Sequence, residues 1–230
     1  MMQSEMTLKR GLAPGEYYHV FNRGAHRIDI FRGKADMQRF LFEVLYFQSH
    51  TPLKNVARLA SSFSPEQGFA APDELIEKII RERTAELVAF CIMPNHFHLL
   101  LRELEEGSVE NYMQRISEGY TKYFHKRYGA SGHVFQGRYK TVHVKTDEQL
   151  MHLSAYIHRN PRELRAWKGR EERYPWSSLQ DFTVANRWGG LIAPEILVSR
   201  FDATPDSNYA DFVRTSPAKL LEEEFGTRRD

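Results

Sequence analysis

The stretch CIMPNHFHLLLR, residues 91–102, interrupts an apolar run with Met-Pro-Asn and then places His96 and His98 two residues apart. Apolar strands normally avoid paired ionisable side chains, because each brings nitrogens that need partners once water is removed. Alternation across a strand puts residues two apart on the same face, so the two imidazoles stand side by side while Phe97, Leu99 and Leu101 point into the core. Pro94 and Asn95 predict a turn or bulge that folds this half back on the preceding apolar run, AELVAFCIM. The chain is thereby committed to an antiparallel pair whose one face can grip an ion. For an arbitrary His-x-His, a solvated pair that does nothing is the simpler outcome, so the rest of the sequence must supply more.

Elsewhere the periodicity alternates between strand and helix. GEYYHVFNRG, residues 15–24, reads as a strand ending in a turn, and ADMQRFLFEVLYF, residues 35–47, spaces Met37, Phe40, Leu41, Val44 and Leu45 at helical period. Residues 51–72 are rich in Ser, Pro, Ala and Gly and suggest a mobile connection or an insertion. A short helix from about Asp73 to Arg83 leads into the strand pair. Ser108 is placed to cap a long helix with Val109, Met113, Ile116, Tyr120 and Phe124 on one face. YKTVHVK, residues 139–145, alternates as a strand, and a helix follows over 147–160, opened by the capping-box pair Thr146 and Gln149 and stopped by Pro161. This order predicts an α+β fold, an antiparallel sheet with helices packed on one face. Residues 1–184 form the expected domain, with 185–230 a small, mostly helical C-terminal extension that contacts DNA; the charged end KLLEEEFGTRRD is expected to fray.

Composition narrows the function classes. No apolar run reaches the roughly 20 residues of a membrane span, and no secretory signal is apparent, so a cytoplasmic, nucleoid-associated protein with no membrane partner is expected. The single cysteine, Cys91, excludes an internal disulfide and a cysteine-based zinc cluster. A net charge of +2 announces nothing, but its distribution does. From Gly119 to Thr146 there is no Asp or Glu, while Lys122, Lys126, Arg127, Arg138, Lys140 and Lys145 interleave with Tyr120, Tyr123, Tyr128, Phe135 and Tyr139. That mixture either contacts phosphates and stacks on bases of single-stranded nucleic acid, or is a solvated helix face whose rings belong to the core.

On the helix over 147–160, Tyr156 and Asn160 are four residues apart and share a face. Packed against the histidine strand, Asn160 would complete a set of two imidazoles and one amide oxygen. Such a set suits Mg²⁺ or Mn²⁺ on a phosphate substrate, although imidazoles equally accept Zn²⁺.

With these residues in hand the chain resembles the single-tyrosine transposases named for their His-hydrophobic-His (HUH) motif, and within them the REP-associated tyrosine transposases. The resemblance rests on YHVFNRG, MPNHFHLLL, GHVFQGRYK, YIHRNP and YPWSS in this order, over roughly residues 15–182. It implies a ferredoxin-like α+β domain in which His96 and His98 bind a divalent metal, Asn160 is the third ligand and Tyr156 attacks DNA. The implied activity is metal-dependent cleavage and rejoining of single-stranded, hairpin-associated DNA through a 5′-phosphotyrosine, by a monomer or a homodimer. Arg23, Lys122, Lys126, Arg127, Arg138, Tyr139 and Lys140 are the DNA-contacting candidates. His152 and His158 differ in helical phase from Tyr156 and are expected to be structural or DNA-facing. Two other readings remain at this point: a DNA-binding regulator of the same fold that no longer cuts, and a zinc hydrolase in which the His pair activates water.

Overall fold

The computed structural model describes residues 12–52, 54–65, 68, 71–201 and 208–217; the C-terminal KLLEEEFGTRRD expectation lies outside them. Strands β1 (Tyr17–Arg23), β2 (Ala85–Met93), β3 (His96–Glu103) and β4 (Lys140–Val144) form one antiparallel sheet in the order β2-β3-β1-β4. Pro94 and Asn95 are the two-residue turn between β2 and β3, with Met93 paired to His96. The Pro-Asn signal thus makes a hairpin, and the hairpin sets the register of the histidines.

Helices α1 (Lys34–Tyr46) and α4 (Ser108–Tyr128) cover the face carrying Phe97, whose ring lies 4.8 Å from Phe40, itself 5.3 Å from Tyr120. This is the expected α+β layer. Helix α5 (Asp147–Arg159) lies instead on the opposite face, its Tyr156 ring 5.3 Å from His98. A second cover is needed there because β2 and most of β3 are buried on both faces, Cys91, His98 and Leu100 included.

As the outer strand of the sheet, β2 would leave backbone groups unpaired. The segment YPWSS runs along it: Ile92 donates to the Trp176 carbonyl (2.9 Å), and Ser178 donates to the Phe90 carbonyl (3.0 Å) while its hydroxyl accepts from the Phe90 amide (2.9 Å). Further along, Ala193 donates to the Leu87 carbonyl (3.0 Å). Trp188, Leu191, Ile192, Leu197, Tyr209 and Val213, all from the C-terminal part, join the same core cluster as the sheet.

Two expectations need correction. Ser108 does not cap α4: it is the first helical residue, and its hydroxyl is buried without a hydrogen bond. The buried carboxylate of Glu103, at the end of β3, accepts instead from the amides of Gly107 (2.6 Å) and Val109 (2.9 Å), placing an anion at the helix start. Nor is the segment 51–72 simply a mobile connection. It contains α2 (Val56–Ser62), and the following Phe63 is fully buried, stacked 5.5 Å from Trp188 and edge-on to Phe42 at 6.0 Å. One aromatic anchor outweighs a loop-like composition.

Helix α3 (Asp73–Arg81), and the short α6 (Leu179–Thr183), α7 (Glu195–Val198) and α8 (Tyr209–Thr215), complete the described α-helices. Thr146 caps α5 through a 3.1 Å bond from the Gln149 amide, and Gln149 reaches back to the Lys145 amide (2.8 Å). Among the described residues no helix is long and apolar enough to cross a membrane.

Close packing between α1 and α4 creates one ionisable anomaly. Glu43 is fully buried beside Gly119, where a Cβ would stand 2.8 Å from the Glu43 Oε1, so only glycine fits without displacing the carboxylate. Burial, outweighing the Arg39 guanidinium at 2.7 Å, pushes the Glu43 carboxyl up to about 8. A carboxyl whose folded pKa is raised contributes stability that is complete below its ordinary pKa of about 4.5 and is lost as pH rises through about 8. Glu43→Gln removes this titration. Its thermal midpoint should exceed that of the unaltered protein above about pH 8 and converge with it near about pH 4.5; parallel midpoint-against-pH curves would refute the assignment.

Candidate active site

The register of the four strands builds one row across the sheet. Cys91, His98, Phe21 and Lys140 are successive cross-strand partners, and the adjacent row pairs Met93, His96 and Arg23. Partners in register present their side chains to the same face, so His96 and His98 share a face with Arg23, Phe21 and Lys140, as the two-residue spacing predicted. His98 is buried and His96 partly exposed, their rings 5.1 Å apart.

Helix α5 brings Tyr156 over this row. Its ring meets His98 edge-on at 5.3 Å and 83°, and a third imidazole, His19, at 6.1 Å and 79°. One turn on, Asn160 donates its amide Nδ2 to the Tyr156 carbonyl (2.9 Å), which turns its Oδ1 toward His96 Nε2 at 3.2 Å. The four residues expected to carry the chemistry, His96, His98, Tyr156 and Asn160, thus meet on one face of a single chain.

The donor set has an uneven proton count. Burial lowers the pKa of His96, against opposing effects from Asn160 and Glu163, and lowers that of His98 well below the ordinary value, with the neighbouring His96 and His19 acting in the same direction. Both rings are therefore neutral near pH 7, and a neutral imidazole carries one proton. Yet His96 faces two amide oxygens: Asn95 Oδ1 at 2.7 Å from Nδ1, and Asn160 Oδ1 at 3.2 Å from Nε2. One ring proton cannot serve both contacts, so one of the two nitrogens meets an amide oxygen lone pair to lone pair. A cation satisfies both where a hydrogen bond cannot, so the residues present fit a metal ligated by imidazole and amide oxygen. Among the described residues there is no group of three His, Cys, Asp or Glu placed to hold a metal ion.

The DNA-contacting candidates divide. Arg23 lies beside His96 and donates to Gln136, and Lys140 is exposed on the histidine face. Arg138 pairs with Glu110 at the start of α4 and lies 5.5 Å over the half-buried Tyr139. Lys122, Lys126 and Arg127 are exposed on α4, in the layer on the opposite face, and Arg127 pairs with Asp36 at 3.2 Å. The structure does not bring these three to the site. Most rings of the acid-free segment go to the core: Tyr120 and Phe135 are buried, and the hydroxyls of Tyr123 and Tyr128 donate to Asp36 at 2.9 and 2.6 Å.

His158 resolves as structural. It is fully buried, bonded to the Tyr209 hydroxyl at 2.7 Å and to Ser178 Oγ at 2.8 Å, with burial lowering its pKa to about 3. His152 stacks 6.0 Å from Phe212. His19 was not singled out from the sequence. Its alternation with Phe21 and Arg23 in YHVFNR was a usable signal, but only the β1–β3 register reveals which residue it meets.

Against known proteins, residues 68–160 match the family described as "Transposase IS200 like". A search of curated proteins finds no match. A solved structure described as "Structure of the REP associates tyrosine transposase bound to a REP hairpin" is similar at 16% identity and a TM-score of 0.46, with 84% of this chain and 92% of that chain covered. The matched segment 68–160 contains β2, β3 and α5, and with them every residue of the His96, His98, Tyr156 and Asn160 cluster. Over that segment the chain is similar to the IS200-like transposases.

Proposed function

We propose that the chain is a metal-dependent single-stranded DNA endonuclease and strand transferase that cuts and rejoins hairpin-associated sites through a 5′-phosphotyrosine. One observation carries the reading: a phenol ring, two neutral imidazoles and an amide oxygen converge on one sheet face, with His96 Nε2 and Asn160 Oδ1 3.2 Å apart. The preference for hairpin-associated DNA rests on the sequence resemblance alone.

His96, His98 and Asn160 would hold the cation, Mg²⁺ or Mn²⁺, with Zn²⁺ compatible with the two imidazoles. When bound, it supplies positive charge to a phosphodiester whose anionic oxygens otherwise repel a nucleophile, an effect worth several kcal/mol of barrier. The remaining work falls to the chain. The edge-on contacts with His98 and His19, and the Asn160 bond to the Tyr156 carbonyl, fix the nucleophile's helix against its own chain's sheet. The Tyr156 oxygen forms a bond to phosphorus as the bond to the 3′-oxygen breaks, and that oxygen leaves as a 3′-hydroxyl. A free phenol has a pKa of about 10, so its proton must be taken up during attack. His158 is not the base, since both its nitrogens are committed. The phosphate energy is kept in the phosphotyrosine, and a 3′-hydroxyl reverses the step without a nucleotide cofactor. On the same face the exposed Lys140 and the half-buried Arg23 are the backbone contacts that fit the strand, while Lys122 and Lys126 face away.

Tyr156→Phe removes one oxygen and little volume, so the variant should fold and bind hairpin DNA yet form no protein-linked DNA with Mn²⁺ present. Mass spectrometry of the unaltered protein's adduct should place the 5′-phosphate on Tyr156. An adduct on Tyr123 or Tyr139, or full cutting by Tyr156→Phe, would overturn the mechanism. Lys140→Ala should lower the salt slope of single-strand binding by about 1, uniformly across sequences, and Lys122→Ala should leave it unchanged. Equal slopes for Lys140→Ala and the unaltered protein would remove this face from the binding path.

A further inference from the structure

His19, on β1, is fully buried on the face that carries His98. Its Nε2 lies 2.9 Å from His98 Nδ1, with the two rings stacked at 5.1 Å and 21°. Two nitrogens at that distance share one proton. If His19 owns it, His98 Nδ1 is the acceptor, and a neutral His98 must carry its proton on Nε2, which closes that atom to any ligand. If His98 owns it, Nδ1–H donates to His19 and Nε2 keeps an open lone pair. Only the second arrangement lets His98 act as a ligand beside His96 Nε2 and Asn160 Oδ1, which lie 3.2 Å apart.

We propose that His19 is the positioning residue of the site: it accepts the Nδ1–H of His98, fixing that ring's plane and tautomer so that Nε2 is presented to the divalent cation. The inference rests on the reading of His96, His98 and Asn160 as the ligand set. A ligating imidazole usually passes its second N–H to a carboxylate, a backbone carbonyl or water. An imidazole in that place orients the ligand without adding negative charge, which suits a site that must admit a phosphodiester. The Tyr156 ring, edge-on to both His19 and His98, seals the pair from one side and ties the orientation of His98 to the seating of the nucleophile's helix.

The test is Mn²⁺ titration calorimetry on the whole chain and on His19→Phe, His19→Gln and His96→Ala. His19→Phe keeps a ring but has no acceptor, and should bind Mn²⁺ 10–100-fold more weakly, the usual effect of losing such a partner. His19→Gln, whose carbonyl oxygen accepts the same proton, should recover most of that loss. Nitrogen–proton correlation spectra of the metal-free, unaltered protein should place the His98 proton on Nδ1, an outcome that does not depend on any variant folding. A proton on His98 Nε2, or His19→Phe binding Mn²⁺ as tightly as the unaltered protein, would overturn the role of His19. If instead the unaltered protein binds Mn²⁺ no better than His96→Ala, the ligand assignment itself falls and takes the inference with it.

Discussion

The two-residue turn at Pro94 and Asn95 is the constraint on which the rest depends. It pairs Met93 with His96 and so fixes which face each residue of β3 occupies. A slip of one residue would exchange the imidazoles with Phe97 and Leu99, sending the rings into the α1–α4 core and the apolar side chains into the site. Phe97 against Phe40, and Leu99 and Leu101 fully buried beside it, make that slip costly. The apolar half of HFHLLL thus holds the polar half in position.

A second set of contacts decides how α5, which carries Tyr156, meets that face. His158 on α5 bonds to Tyr209 on α8 and to Ser178, and Ser178 in turn holds both backbone groups of Phe90 on β2. Arg159 donates to the carbonyls of Val213 and Ser216. The C-terminal residues 208–216 and the YPWSS segment therefore clamp the helix and cover the outer strand at the same time. Tyr156 and Asn160 sit within four residues of this clamp, so their placement over the imidazoles follows from contacts that touch neither.

Burial also sets the electrostatics. Three imidazoles packed together would repel one another if charged, and burial removes that charge from His19, His96 and His98. What remains is a cluster of three neutral imidazoles, a local environment that would favour a cation. Glu43, on the other side of the sheet, shows the contrasting case, a buried carboxyl held in its neutral form at pH 7 by the same physics.

By itself the sequence determined the alternation and the periods. The same-face placement of His96 and His98, the shared helix face of Tyr156 and Asn160, the Thr146–Gln149 cap and the antiparallel hairpin all follow from local geometry repeating every two or 3.6 residues. What required the tertiary structure is whatever depends on residues distant in sequence. His19 meets His98 across 79 positions, Glu103 replaces Ser108 as the cap of α4, and Phe63 anchors a loop-like segment on Trp188. The acid-free segment shows the limit most plainly. Its composition fits a nucleic-acid surface and a core-facing helix equally well, and packing alone assigned Tyr120 and Phe135 to the core, Lys122 and Lys126 to the far side, and Lys140 to the histidine face. Local pattern fixes which residues share a face; which partner that face meets is decided only when chain closure brings distant segments into contact.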